Sequence, residues 1–233
     1  RDVSGVQLPH KITIRKGGEH YADVQFESAA INDQQALEVF TIPVAAEKEV
    51  DRVVSLGPDY SPAALTEVGQ GVQFVQAYSH NSLVVEFPSF LAVVEAPYTE
   101  AQSLTLARLL AEKYPGKPIR YAIVTHPHFD HTGGVRGMAA QGAAIVAARG
   151  HEAQLRSLLE APHTNPPDAL AAKRRTTPGA GALEVFDGRT AIEEGGQKLE
   201  LYAITGSPHV DPMVLAYLPG SRMLFNSDLF FPG

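Results

Sequence analysis

Apolar and polar positions alternate with a period of two along Lys11-Ile12-Thr13-Ile14-Arg15 and again along Tyr21-Ala22-Asp23-Val24-Gln25-Phe26-Glu27. Between them Lys16-Gly17-Gly18-Glu19 supplies turn chemistry, so the pattern predicts a β-hairpin. Ala36 to Pro43 offers a third strand. Residues 44–66, with Pro58, Pro62 and the charged Glu47-Lys48-Glu49, read as a loop. This divides the chain into a β-rich N-terminal extension over residues 1–66 and a second domain over residues 67–233. His10 and His20 fall in the extension and read as surface histidines.

From Gly71 the period changes. Val72 to Ala77, Ser82 to Phe87 and Phe90 to Glu95 predict three successive strands joined by short turns. Thr99-Glu100-Ala101-Gln102 then fits a capping box, opening a helix whose buried side is Leu104, Leu106, Leu109 and Leu110 and which Pro115-Gly116 ends. Ile119 to Thr125 reads as a strand, Thr132 to Gln141 as a helix, Ala143 to Ala148 as a strand and His151 to Glu160 as a helix. The Pro- and Gly-rich residues 161–182 read as an irregular insertion, where a substrate lid is expected. Strands return at Leu183 to Phe186, Arg189 to Glu194, Lys198 to Ile204, Met213 to Leu218 and Arg222 to Asn226. No repeat of 20–50 residues is visible. Strands with helices outside them make an α/β layered domain.

Composition narrows the chemistry. With 44% hydrophobic residues in 233, the chain can bury a substantial core. A formal charge of −7 argues against a nucleic-acid partner, which selects a basic face. The only basic cluster, Lys173-Arg174-Arg175, lies in the insertion, as a solvated loop or a clamp for an anionic substrate. No apolar run approaches the roughly 20 residues that span a bilayer, and residues 1–25 hold no apolar signal-peptide core. The absence of cysteine excludes thiolate ligands and a cysteine nucleophile, so any metal must be held by His and carboxylate.

The informative segment is Thr125-His126-Pro127-His128-Phe129-Asp130-His131-Thr132-Gly133-Gly134. Three histidines and an aspartate fall within six residues, between a strand and a helix. In extended chain His126 and His128 point to the same side and can share an ion. Asp130 and His131 follow as the chain turns and can reach a second ion. Nitrogen and carboxylate donors suit zinc, and Gly133-Gly134 lets the backbone pass close to the site.

This segment resembles the HxHxDH signature of the metallo-β-lactamase-fold hydrolases, and the resemblance runs from about Gly71 to the end of the chain. It implies an αββα four-layer sandwich, here with an N-terminal β-rich appendage. It also implies metal ligands beyond the signature: His209 of Ser207-Pro208-His209, and Asp228 of Asn226-Ser227-Asp228 as a carboxylate bridging two ions. Glu95, ending its strand, matches an acidic residue that orients a ligand histidine. Carried over, site one is His126, His128 and His209; site two is Asp130 and His131, with Asp228 shared. The family places one further His in site two, after the bridging Asp. Here five residues follow Asp228 and none is His. The chain therefore reads as a fragment truncated at its C-terminal end, the alternatives being a substituting residue or a weak second site. The other histidines of this domain are His80, His151 and His163, of which His151 and His163 read as solvent-facing.

The activity implied is that of a dinuclear hydrolase, with two zinc ions per chain and iron or manganese as alternatives. A water held between the ions loses a proton near neutral pH and attacks the electrophile. Asp130 holds one ion and orients the nucleophile or passes a proton to the leaving group. The expected substrate is a small-molecule ester, thioester, lactone or lactam. The alternatives are a phosphodiesterase and a non-catalytic or regulatory module with an incomplete second site. β-Lactamase subclasses that use Cys are disfavoured, and a di-iron oxygen reductase is disfavoured by His128 where those enzymes carry Glu. Exported enzymes of this superfamily are common, which leans the expected location to the periplasm or outside the cell. Oligomeric state is not legible.

Overall fold

The computed structural model describes residues 1–16, 19–31, 63–77, 80–164 and 167–229. The chain divides into two compact units, Arg1–Gly57 and Pro58–Gly233. The first contains a short ribbon, β1 (Asp2–Val3) with β2 (Val6–Gln7), and the expected hairpin, β3 (Lys11–Lys16) with β4 (Glu19–Gln25). Ile12 faces Val24 and Ile14 faces Ala22 across that hairpin, while Lys11 and Thr13 both bond Asp23. His10 and His20 are exposed. The strand expected over Ala36 to Pro43 lies outside the described residues.

The second unit begins with β5 (Ala64–Gly69), which pairs with β6 (Val72–Gln76). Residues 64–66 are therefore strand where the sequence reads as loop, and β5 runs across the boundary expected at residue 66. Next come β7 (Ser82–Glu86), β8 (Leu91–Val94), α1 (Glu100–Lys113) and β9 (Ile119–Ile123). The order continues through α2 (Phe129–Thr132), α3 (Val135–Ala140), β10 (Ala144–Ala148), α4 (Glu152–Glu160), α5 (Ala169–Arg174) and β11 (Leu183–Phe186). Strands β5 to β11 form one seven-stranded sheet, antiparallel from β5 to β8 and parallel from β8 to β11. The last four strands, β12 (Arg189–Glu194), β13 (Gln197–Ile204), β14 (Met213–Leu218) and β15 (Met223–Phe225), form an antiparallel meander.

Strand periodicity explains how the layers stack. On β7 to β10, Val84, Leu91, Val93, Ala122, Ile145 and Ala147 face the helices, where Leu106, Leu110, Met138, Leu155 and Leu170 meet them. Their neighbours Leu83, Val85, Ala92, Val94, Ile123, Val146 and Ala148 face the other way, onto Leu199, Leu201, Val214 and Ala216 of the small sheet. Both faces of the large sheet are thus buried, which is why its central strands read as unbroken apolar runs. Among the described residues the layers are helix, sheet and sheet, so the helical layer expected outside the small sheet is not seen among them. Among the described residues, every helix in these clusters packs on the outer face of the large sheet.

Local differences from the sequence reading have physical causes. Thr99 caps α1 by accepting from the Gln102 N–H (3.2 Å), but the Gln102 side chain does not close the box. Its Nε2 donates instead to the His80 carbonyl at 3.1 Å. The buried stripe of α1 is Gln102, Ser103, Leu106, Ala107 and Leu110, with Leu104 and Leu109 only half-buried. The single helix expected over Thr132 to Gln141 is two, α2 and α3, divided at Gly133-Gly134. Neither glycine has a positive φ; close approach requires them. A Cβ on Gly133 would lie 2.1 Å from the Tyr98 carbonyl oxygen, and one on Gly134 would lie 2.1 Å from Ser103 Oγ.

The insertion at 161–182 contains α5, whose N-cap Asp168 accepts from the Ala171 N–H at 2.8 Å. Leu170 on α5 enters the core between the helices and the large sheet. Arg174 donates to the carbonyls of Ala180 (2.9 Å) and Leu159 (2.8 Å), so it ties the insertion to the body instead of clamping an anion. His163 is exposed, as expected. His151 is buried, contrary to expectation, with Nε2 2.6 Å from the Pro212 carbonyl oxygen.

Candidate metal centre

Strands β8 and β9 are parallel neighbours, so the residues that follow them emerge side by side at one end of the sheet. Crevices at the carboxyl ends of parallel strands are where open α/β sheets bind ligands. Glu95 follows β8 and Thr125-His126 follows β9. Loops after β13 and β15 bring His209 and Asp228 to the same end.

Glu95 is buried and has φ +74°, a left-handed conformation that a non-glycine residue adopts only when its surroundings enforce it. Both carboxylate oxygens are used. Oε1 accepts from the Thr125 N–H at 3.0 Å, and Oε2 is in short contact with His131 Nδ1. With Nδ1 engaged, His131 is left to present Nε2 to the site. Burial acting alone would lower the His131 pKa, but the Glu95 bond and the charges of Glu95, Asp228 and Asp130 outweigh it and hold it above the ordinary value.

His126 is buried and braced from behind, with Nδ1 3.1 Å from Thr125 Oγ1 and 3.4 Å from Ser227 Oγ. Its Nε2 faces His209 Nε2 at 3.2 Å. Desolvation, followed by the charges of His131, His128 and His209, pushes its pKa down to about 3, so its imidazole is neutral and its lone pair available across the physiological range. His128 and His209 stand at the mouth, more exposed, with ring centroids 4.7 Å apart. The loop carrying His209 is held by the Gly206 N–H on Asp211 Oδ2 (3.1 Å), by His151 on the Pro212 carbonyl and by the Val214 N–H on the Thr125 carbonyl (2.8 Å).

The structure brings together the six residues expected as metal ligands, with Glu95 behind them. His126, His128 and His209 converge as one group, and His126, His131 and Asp228 as another, the donor atoms of each lying within 4.8 Å of one another. Asp130, on the one-turn α2, joins His131 and His80 in a third such group. Asp228 Oδ2 is the common point: it lies 3.2 Å from His131 Nε2, 3.4 Å from His209 Nε2 and 3.9 Å from His126 Nε2. Sequence reasoning assigned no role to Thr125, Ser227 or His80. Each is a polar residue beside a strand end or beside a ligand candidate, a weak signal without coordinates.

The donor set fits a small divalent cation. Bonds of 2.0–2.1 Å around a tetrahedral ion place its donors about 3.3–3.4 Å apart. The 3.2 Å between His126 and His209 and the 3.2 and 3.4 Å from Asp228 to His131 and His209 are of that size. Beside the cluster lies a cavity of about 430 Å³, lined on its polar side by His80, Glu95, His131 and Asp228 and on its apolar side by residues including Phe74, Leu83 and Phe225. No described residue of 161–182 lines it, so among the described residues the insertion forms no lid over this cavity. A larger cavity, about 690 Å³, lies at the other end of the strands among the turns at Gly71, Pro88, Gly195 and Gly220, away from the histidines.

Glu95 is positioned to act on a bound ion through His131, which gives a direct test. Glu95→Gln keeps the shape but weakens the hold on His131 Nδ1, and metal affinity is expected to fall roughly 10- to 100-fold. Competition with a chromophoric chelator measures it; unchanged affinity would separate Glu95 from the centre.

The sequence model of the metallo-beta-lactamase superfamily matches residues 75–233. In sequence the chain is 25% identical over 179 residues to the 2,4-dinitroanisole O-demethylase subunit alpha of Nocardioides sp. (strain JS1661). That match covers 76% of this chain and 49% of the relative, so the chain spans about half the relative's length. In structure it is similar to the metallo-beta-lactamase from Pontibacter korlensis, with a TM-score of 0.51, 19% identity, and 70% of this chain and 69% of that one covered. It is likewise similar to the DIM-1 metallo-beta-lactamase, with a TM-score of 0.52, 18% identity, and 70% and 67% coverage. At these identities the structural likeness is one of fold. The chain belongs to the metallo-β-lactamase superfamily and has its sandwich fold.

Proposed function

We propose that this member of the metallo-β-lactamase superfamily is a dinuclear metal-dependent hydrolase of small electrophilic substrates: esters, thioesters, lactones or lactams. The observation that carries the reading is the position of Asp228 Oδ2, one carboxylate oxygen within 3.4 Å of both His131 Nε2 and His209 Nε2 and so between the two donor groups. His126, His128 and His209 would hold one ion; Asp130 and His131 would hold the other, with Asp228 shared. Two bound zinc ions, or iron or manganese in their place, would supply Lewis acidity and a nucleophile at neutral pH.

The side chains of this chain do the rest. Glu95 fixes His131 so that Nε2 faces the site, and Thr125 and Ser227 do the same for His126. Asp130 is half-buried at the edge of the cluster, where its carboxylate can take a proton from the nucleophile and return it to the leaving group. The apolar wall of the adjoining cavity would exclude water from one side of a substrate seated there. The relative named as an O-demethylase of 2,4-dinitroanisole adds a further electrophile, since hydroxide adding to the ring carbon of an electron-poor aryl ether would break the ring C–O bond and release the methoxy group as methanol.

Chelation followed by a panel of esters, thioesters, lactones, lactams and nitroaryl methyl ethers tests the proposal. Turnover of at least one class should vanish on metal removal and return on adding zinc, manganese or iron(II). Turnover that survives complete metal removal would overturn it, as would a fully loaded chain inert across the whole panel.

A further inference from the structure

We infer that His80 is a ligand of the second metal ion, completing a four-donor site with Asp130, His131 and Asp228. The inference rests on the dinuclear reading above and extends it to a residue outside the HxHxDH segment. His80 immediately precedes Asn81 and β7. Its Nε2 lies 3.4 Å from Asp130 Oδ2, the edge length of a tetrahedral zinc site. Asp130 Oδ2 is in turn 3.9 Å from His131 Nε2, and His131 Nε2 is 3.2 Å from Asp228 Oδ2. The ligand atoms of His80, Asp130 and His131 all fall within 4.8 Å of one another. His131 also belongs to the group that holds Asp228, so two nitrogens and two carboxylate oxygens follow one another at these spacings, a donor set suited to zinc.

The ring is held in place from three sides. It stacks on Tyr98, with centroids 5.8 Å apart and planes 23° apart, and meets the His131 ring edge-on at 4.7 Å. Its backbone carbonyl accepts the Gln102 Nε2 bond, and Gln102 is buried on α1. Tyr98 has φ +66°, and its N–H donates to the Asp130 carbonyl at 3.1 Å. The segment that presents the stacking ring is therefore bonded to the turn that presents Asp130 and His131. Gln102 thus leaves the capping box open and bonds the His80 backbone instead.

Zinc titrations of the wild-type chain and of His80→Ala and His80→Gln, followed by elemental analysis and chelator competition, test this. The wild type should take up two equivalents. Both variants should keep the first, on His126, His128 and His209, and bind the second roughly 10- to 100-fold more weakly. The d–d absorption of the second cobalt equivalent should change in the same variants. In the wild type, the ¹⁵N resonance of His80 Nε2 should move to a metal-bound position with the second zinc equivalent, a readout independent of how the variants fold. Two equivalents at wild-type affinity in folded variants, or a His80 resonance that stays put, would overturn the assignment while leaving the dinuclear reading intact. A wild type that binds one equivalent only would overturn both.

Discussion

In the His126→Ala chain, turnover of whichever panel substrate the wild type hydrolyses is expected to fall by about 10³-fold or more, with loss of the first metal equivalent. Lewis-acid stabilisation is worth several kcal/mol, and each 1.36 kcal/mol is a factor of ten in rate. His126 is the ligand candidate with least freedom to be replaced. It is fully buried, Thr125 Oγ1 and Ser227 Oγ lie against its Nδ1, and its Nε2 faces His209 at 3.2 Å. Its low pKa has a consequence of definite sign: protons compete with the metal at His126 only in strong acid, so acid release of metal above about pH 4 is governed by the other ligands. Steady-state rates and metal content measured on the same preparation decide the matter. A folded variant that keeps its full metal complement and activity within tenfold of the wild type would remove His126 from the centre.

Asp168→Ala should cost about 3–5 kcal/mol of stability, toward the lower end of that range, by leaving a buried guanidinium without its carboxylate. Arg136 on α3 is buried and donates through Nε (2.5 Å) and Nη2 (3.0 Å) to the two oxygens of Asp168. Its Nη1 also reaches the carbonyls of Leu158 (2.9 Å) and Leu159 (2.6 Å), and these survive the substitution. One arginine thus ties α3, the end of α4 and the start of α5 together behind the metal-binding loop. The melting temperature should drop on the order of 10 °C. Burial tends to raise the Asp168 pKa, but the Arg136 bond, the Ala171 N–H and the Arg136 charge prevail and hold it below the ordinary 3.8. A depressed folded pKa means that this stabilisation is complete above the unfolded value and is lost as pH falls through the folded one. The gap between wild type and variant should therefore be full at pH 7 and close only below about pH 3.8. Denaturant unfolding at neutral and acid pH measures it; a loss below about 1 kcal/mol at pH 7 would show the pair to be dispensable.

Much of this protein was legible before any coordinates. The pattern of the sequence places the strands Ser82–Glu86, Leu91–Val94, Ile119–Ile123 and Ala144–Ala148 within a residue or two of their bounds. Buried strands and amphipathic helices write their period directly into the order of residues. The meander from Arg189 to Phe225 was equally plain. The HxHxDH segment pointed to a metal centre because its candidate ligands are neighbours in the chain, and the resemblance it carries pointed to Glu95, His209 and Asp228. Helix α5 was hidden because Pro and Gly crowd the insertion around it, while what forms it is local to Asp168 and remote at Arg136. His151 looked like an exposed helix start, and its burial depends on the Pro212 carbonyl, 61 residues further on.

What the sequence determined by itself is therefore the order of strands and helices and the kind of donor available: period-two and helical patterns for the first, a Cys-free His/Asp cluster for the second. What only the tertiary structure decided is which donors meet. Glu95 reaches His131 because β8 and β9 are parallel neighbours whose ends lie together. Asp228 stands between two histidine groups because the small sheet packs face to face on the large one. His80 comes within 3.4 Å of Asp130 across 50 residues of chain because Gln102 and Tyr98 hold it there. Periodicity is a property of neighbours along the chain, whereas a coordination polyhedron is a property of distances between residues far apart in it, and those distances exist only once the core has packed.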